Sequence, residues 1–380
     1  MATAPTILLA EIDDRLRVTW GDGSTSAYHW LWLRDHSHDP ATLHPATHQR
    51  LVPTSALAER VTAREVELAH GPSGHELRIR WDDDRVSVLP ERFLAEHRSP
   101  PLPPDTPGGA SDAVLWDAAT IGDAAVTLPF EEVMDDDAGV GAWLDIISRY
   151  GFGIVTGTPA DVESTRRLIT RVGYVRETVF GGFWEFTDDL SRADTAYTNI
   201  ELLAHTDGTY SHDAPGLQML HCLHFDGTGG ASTLVDGFAI AARLSEEQPE
   251  MFDVLAKTPI PGEYLGDGVH LRAERPVLGH HRGVLRQVSF NTADRAPLHM
   301  SPDELDALYP ALVEFERRAN DPANIWEHVL EPGEALLFDN WRVLHGRRAY
   351  TGRRRMCGAY LNHEDFESRR RMVGAGHRRT

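Results

Sequence analysis

Lysine and cysteine are close to absent from this chain. Of its 380 residues, Lys257 is the one lysine, and Cys222 and Cys357 are the two cysteines. Two cysteines without paired spacings build no disulfide framework and point to a reducing compartment. With lysine missing, nearly every basic residue is an arginine, so the arginine runs at 353–355 and 369–370 are no evidence of a site by themselves. Positive charge is short overall: 58 acidic against 37 basic residues leave a formal charge of −21. Such a surface argues against nucleic acid and anionic membranes as partners. It favours a cationic substrate weakly and serves solubility first. No apolar run approaches the roughly 18 residues of a membrane helix. Met1-Ala2-Thr3-Ala4-Pro5 also lacks a basic segment leading into an apolar one. A cytoplasmic protein is expected.

Several reaction classes lack their motifs. There is no His-Glu-x-x-His and no cysteine cluster for a zinc hydrolase. Gly-x-Ser-x-Gly is missing, and no Gly-x-Gly-x-x-Gly follows a strand. What remains is an ordinary globular composition, 41% hydrophobic and 25% charged, long enough for one large domain and a small one.

Two stretches read as β-hairpins. Ile7, Leu9 and Ile12 turn at Asp13-Asp14 into Leu16, Val18 and Trp20. Leu77, Ile79 and Trp81 turn at Asp82-Asp83-Asp84 into Val86 and Val88. They predict a small β-rich N-terminal domain over 1–98. The Pro/Gly-rich stretch at 99–113 is a stiff, solvated linker, and the main domain follows over 114–380. Strands are expected at 152–156, 216–224, 284–290, 334–338, 341–345 and 356–361. Ser301-Pro302-Asp303-Glu304 is a capping box that opens a helix. Asp161 opens another, ending near Gly173, and Ser245 with Gln248 a third. Many short strands and few helices predict a mainly β fold, a sandwich or jelly-roll core buttressed by helices.

Within it, Asp339-Asn340-Trp341-Arg342-Val343-Leu344-His345-Gly346-Arg347 and His205-Thr206-Asp207 supply two histidines and a carboxylate. That ligand set leaves half of an iron coordination sphere open for oxygen chemistry. In a strand, residues i and i+2 share a face, so His205 and Asp207 converge while Thr206 turns away. The tripeptide alone is weak, because His224-Phe225-Asp226 and His363-Glu364-Asp365 have the same form. The latter is followed only by His377 in a basic tail. The former runs into Gly227-Thr228-Gly229-Gly230, a loop signal, and spacing alone leaves it open. Buried structural histidines are the plainer alternative for all three. An arginine-rich segment follows His345, a suitable place for a clamp on an anionic co-substrate.

At these residues the chain resembles the 2-oxoglutarate-dependent oxygenases of carnitine biosynthesis, the trimethyllysine and γ-butyrobetaine dioxygenases, and the former more closely. The likeness extends over the segment from Trp184 to Thr198, His221-Cys222-Leu223, Leu234-Val235-Asp236-Gly237-Phe238 and Cys357-Gly358-Ala359-Tyr360. It implies a double-stranded β-helix core with Fe(II) on His205, Asp207 and His345, in place of His224. It implies 2-oxoglutarate bound through Arg354, with Ser232 as a second contact, O2 as co-substrate and ascorbate as reductant. A charge-assisted bidentate pair at Arg354 contributes about 1.5–3 kcal/mol; Arg353 and Arg355 would face the other side of the strand. A homodimer is also implied.

For the substrate, the resemblance implies a trimethylammonium group held by Phe180, Trp184, Tyr197 and Tyr360. A quaternary ammonium donates no hydrogen bond, so ring faces must hold it, each worth about 0.5–2 kcal/mol when desolvated. Asp194 suits the α-ammonium of trimethyllysine and would repel the carboxylate of butyrobetaine; Asn291 stands near the polar end. The expected reaction is hydroxylation of trimethyllysine at C3. The other readings are γ-butyrobetaine, another quaternary amine or an amino acid as substrate, and a non-catalytic binding protein keeping a relic site. The chain departs from its relatives in two places. Zinc-binding cysteine positions near Trp32-Leu33-Arg34-Asp35-His36 are Ser37, Asp39 and Thr42 here, and a later histidine position is Arg85. No structural zinc is expected, and His36, His38 and His44 have little spacing support as substitutes. Phe180 stands where a tyrosine is expected.

Overall fold

The computed structural model describes residues 6–57, 61–71, 74–98, 113–122, 126–186, 199–266 and 268–374. Residues 99–112 of the expected linker lie outside them. The chain divides into two compact units, Met1–Asp105 and Thr106–Thr380.

The first unit holds two three-stranded antiparallel sheets. One is β1 (Ile7–Ile12), β2 (Leu16–Trp20) and β3 (Thr25–Tyr28). The other is β4 (Ala63–Gly71), β5 (Gly74–Trp81) and β6 (Val86–Pro90). Short helices α1 (Trp30–Asp35) and α2 (Glu91–Glu96) follow the sheets. Both hairpins read from the sequence are present, and alternation carries Leu16, Val18, Trp20, Leu77, Ile79 and Trp81 into one core. Each hairpin ends its inward row with a tryptophan whose indole N–H must find an acceptor. Trp20 donates to Ser26 and Trp81 to Ser87, both at 2.9 Å. Hydrogen bonds close the loop at Ser37 and Asp39. Ser37 donates to Asp39 at 2.6 Å and accepts from the Val88 amide at 2.9 Å.

The second unit is a sandwich of two curled sheets, with helices fewer than strands. The larger sheet runs β10 (Phe183–Phe186), β21 (Tyr350–Leu361), β12 (Leu217–Gly229), β19 (Ala335–Asp339), β8 (Phe152–Thr156), β7 (Thr127–Pro129), with β9 (Val175–Arg176) also on β21. The smaller runs β11 (Leu202–His205), β20 (Val343–Arg347), β13 (Ser232–Asp236), β18 (Trp326–His328). Two hairpins, β14/β15 (Pro259–Gly266, Val269–Pro276) and β16/β17 (Leu278–His281, Val284–Val288), complete the strands. Helices α3 (Phe130–Asp135), α4 (Asp137–Tyr150), α5 (Val162–Thr170) and α9 (His363–Gly374) belong with the larger sheet. Helices α6 (Gly237–Glu247), α7 (Pro249–Lys257) and α8 (Pro302–Ala319) back the smaller one. Between the sheets, Phe152, Leu234, Trp326, Phe338 and Met356 share a core. This is the double-stranded β-helix, with every expected strand present within a few residues.

Local chemistry explains most helix starts. Ser301 and Glu304 form the expected capping box of α8. Asp161 caps α5, which stops at Thr170 rather than near Gly173. The start read at Ser245 is wrong. Ser245 lies inside α6, where its hydroxyl turns back to the Ala242 carbonyl, while Asp236 caps that helix. Pro249, which has no N–H to donate, makes the break and opens α7. No helix among the described residues is long and apolar enough to cross a membrane.

Candidate metal centre and its cavity

Strand β11 lies on β20 with His205 directly opposite His345. Gly346 permits that approach: a Cβ there would stand 2.4 Å from the Leu202 carbonyl oxygen, well inside contact distance. The strand ends at His205, so Asp207 converges for a reason other than strand alternation. Thr206 is buried and exchanges hydrogen bonds with the Phe290 backbone, donating its N–H (2.7 Å) and accepting on its hydroxyl (2.9 Å). This anchor turns Thr206 inward and throws Asp207 back toward the histidines. The Asp207 carboxylate then lies 3.5 Å from His205 Nε2 and 3.6 Å from His345 Nε2.

These three residues are the one group of potential ligands among the described residues whose donor atoms all fall within 4.8 Å of each other. His205 Nδ1 is committed to the Leu203 carbonyl at 2.8 Å, which leaves Nε2 for an ion. Burial would raise the Asp207 pKa, but the two histidines outweigh it and hold the carboxylate well below its usual range. Burial also works against charged His205, yet hydrogen bonding and the charge of Asp207 raise its pKa. Burial, then repulsion from His205, lowers that of His345. An ionised carboxylate beside imidazoles, opening onto a cavity, fits a divalent ion with vacant coordination positions.

Tyr360 was expected as a ring of the substrate cage, and the structure gives its hydroxyl a contact with a candidate ligand. Its hydroxyl donates to Asp207 Oδ2 at 2.6 Å while its ring lies 4.4 Å from Trp184. Tyr360→Phe keeps the ring and loses the hydrogen bond. Metal affinity is expected to fall about 10–100-fold, the usual cost of removing an outer-sphere partner. Mn(II) titration checks this.

A cavity of about 590 Å³ is lined in part by the three candidate ligands. One wall carries Leu220, Ser232, Tyr350, Arg354 and Met356. Arg354 is buried on β21 while Arg353 and Arg355 are exposed, as alternation requires. Burial, then the charge of Arg347, lowers the Arg354 pKa to about 10, so it stays cationic at neutral pH. No carboxylate among the described residues pairs with it, a site suited to the carboxylate of a small acid. Ser232 is buried nearby, opposite Arg347 in the sheet register.

The other wall is aromatic. Phe180 meets Tyr264 edge-on at 5.5 Å, and Tyr264 lies 5.2 Å from Tyr210. Trp184, Tyr360, Asn291 and Asp294 line the same cavity. Asn291 donates to Asp294 at 2.7 Å. Asp194 and Tyr197 lie outside the described residues. Tyr210, Tyr264 and Asp294 escaped the sequence reading. Tyr210 stands three residues past Asp207, a weak signal, whereas Tyr264 sits on a hairpin not read as strand. The competing triplets are elsewhere: His224 and Asp226 are exposed on β12, and His363 is stacked on Trp341 at 4.6 Å.

Residues 113–360 match the family described as taurine catabolism dioxygenase TauD, TfdA family, and residues 7–90 match the gamma-butyrobetaine hydroxylase-like N-terminal family. A trimethyllysine dioxygenase from Meyerozyma guilliermondii is 35% identical, covering 96% of this chain and 94% of its own. The mitochondrial trimethyllysine dioxygenase of Homo sapiens is 32% identical over 91% of this chain and 83% of its own. The gamma-butyrobetaine dioxygenase of a Pseudomonas species (strain AK-1) is 28% identical over 96% and 95%. With a His-Asp-His centre inside a double-stranded β-helix, the chain belongs to the TauD/TfdA dioxygenase family and is an Fe(II)- and 2-oxoglutarate-dependent oxidoreductase.

Proposed function

We propose that the protein hydroxylates C3 of N6-trimethyllysine. The reaction inserts one oxygen atom of O2 into the C3–H bond and places the other in succinate, with CO2 released from 2-oxoglutarate. Bound Fe(II), held by His205, Asp207 and His345, supplies the O2 chemistry. Arg354 pairs with the distal carboxylate of 2-oxoglutarate, and Ser232 adds a hydrogen bond beside it. The chain's remaining task is to fix one C–H bond near the open face of the ion.

The observation that carries this reading is the aromatic wall beside the ligands. Phe180, Trp184, Tyr210, Tyr264 and Tyr360 offer ring faces to a cation that donates no hydrogen bonds. Tyr197 adds a further ring in this reading, and Asp194 receives the α-ammonium, with Asn291 at the polar end. Glu201, Asp294 and Glu316 also line the cavity. They favour a substrate that ends in an ammonium and oppose the carboxylate of γ-butyrobetaine.

The test is product mass after incubation with Fe(II), ascorbate, 2-oxoglutarate and either trimethyllysine or γ-butyrobetaine. A gain of one oxygen on trimethyllysine, with little on butyrobetaine, is expected. Turnover of butyrobetaine alone would overturn the role given to the acidic residues. Consumption of 2-oxoglutarate with neither substrate altered would keep the metal centre and reject the substrate.

A further inference from the structure

Asp207 opens a loop that closes at Gly216, just before β12 begins at Leu217. Tyr210, on the cavity's aromatic wall, rides on the same loop. Its neck is narrow: Gly208 has φ +74°, and a Cβ there would stand 2.6 Å from Pro215 Cδ. Across that neck lies the side chain of Asn340, from the turn between β19 and β20, and it is 1% exposed. Its Oδ1 accepts from the Asp207 amide at 2.8 Å. Its Nδ2 donates to the Asp207 carbonyl at 3.0 Å and to the Pro215 carbonyl at 2.9 Å. The Asn340 backbone N–H donates to Gly216 at 2.9 Å, and the next residue, Trp341, donates its indole N–H to Ala214 at 3.2 Å.

We propose that Asn340 is a positioning residue of the metal centre, one buried amide that clamps both ends of the 207–216 loop and so, together with the Thr206 anchor, aims Asp207 at the ion and Tyr210 at the substrate. The residue type follows from the partners. An acceptor and two donors at the end of a one-carbon stem are the complete amide inventory of asparagine. Aspartate has no donor for the two carbonyls, and glutamine is one carbon too long for a closed site. Asn340 also sits five residues before His345 on the strand it precedes, so one turn ties the two ligand-bearing segments together. The inference depends on the metal centre and not on which substrate is turned over.

Mn(II) titration of the full chain, read from the paramagnetic signal of the free ion, tests it with Asn340→Ala, Asn340→Asp and Gly208→Ala. Each is expected to weaken Mn(II) binding at least about tenfold, as loss of an outer-sphere partner does. At saturating metal, KM for the cationic substrate should rise through Tyr210. KM for 2-oxoglutarate should stay put, because Arg354 is carried on β21. A folded Asn340→Ala protein that binds Mn(II) like the unaltered chain would overturn the proposal. So would a fall in kcat with metal affinity and both KM values untouched. If the Asn340 variants do not fold, Gly208→Ala decides, because it strains the same neck from the opposite side. Unaltered Mn(II) binding in folded Gly208→Ala overturns the clamp.

Discussion

Asp207→Ala is expected to abolish turnover while leaving a folded protein. Structural zinc sites with four protein ligands contribute about 10–16 kcal/mol, so a ligand there carries about 2.5–4 kcal/mol, or about 10²–10³-fold in metal affinity, which sets the scale here. Asp207 sits at the upper end of that range. It is the sole anion of the three and stands between both histidines, at 3.5 and 3.6 Å. Its loss also deprives the Tyr360 hydroxyl of its acceptor. Fe(II) or Mn(II) titration, with thermal unfolding of the metal-free protein as control, checks the expectation. Metal binding undiminished in a folded variant would remove Asp207 from the ligand set and leave two histidines, too few for this chemistry.

Arg354→Met should act on 2-oxoglutarate instead. Truncating one partner of a buried, hydrogen-bonded charge pair costs about 2–5 kcal/mol, which raises KM for 2-oxoglutarate about 30- to several thousand-fold. Metal affinity in the absence of co-substrate should be unchanged. The unfolding temperature of the co-substrate-free variant should not fall, because it no longer buries a cation beside Arg347 that pairs with no carboxylate among the described residues. Arg354→Lys should recover little, since a single ammonium cannot reproduce the planar fork. Steady-state kinetics with varied 2-oxoglutarate measures both. An unchanged KM in Arg354→Met would assign the distal carboxylate to another residue.

Whatever depended on periodicity or a local cap was legible in the sequence. Trp20 and Trp81 reach the core because alternation placed them inward, and α8 starts at Ser301 because a Ser/Glu pair satisfies two helix-end amides. That Arg353 and Arg355 face away from Arg354 followed from the strand period, whereas the choice of Arg354 as the inward one came from the resemblance. The ligand set was legible mainly through its motif, since His224-Phe225-Asp226 had equal claim by spacing. Strand alternation was expected to bring His205 and Asp207 together, and they do converge, but by a different cause. Asp207 faces His205 because Thr206 is pinned to Phe290, 84 residues away, and no local pattern encodes that. Tyr264 reaches the cavity from a hairpin of mixed composition, Pro259–Gly266, whose two prolines and two glycines hide a strand. Asn340 was part of the motif read from the sequence, yet its partners are carbonyls 125 and 133 residues distant. The Ser245 error has a similar origin. A serine followed by Gln248 has the form of a helix start, and only the proline after it shows where the break falls.

The opposition of His205 and His345 on paired strands has a consequence for synthesis of the chain. The first histidine is made long before the second, because β20, the strand that brings them face to face, follows all but one of the described strands in chain order. Most of the sandwich must be assembled before the two rings meet, which places this pairing among the slow, long-range events of folding. Until then the chain offers single, separated donors that hold a divalent ion poorly. The three donors therefore stand within 4.8 Å of one another only once the sheet that pairs β11 with β20 has come together.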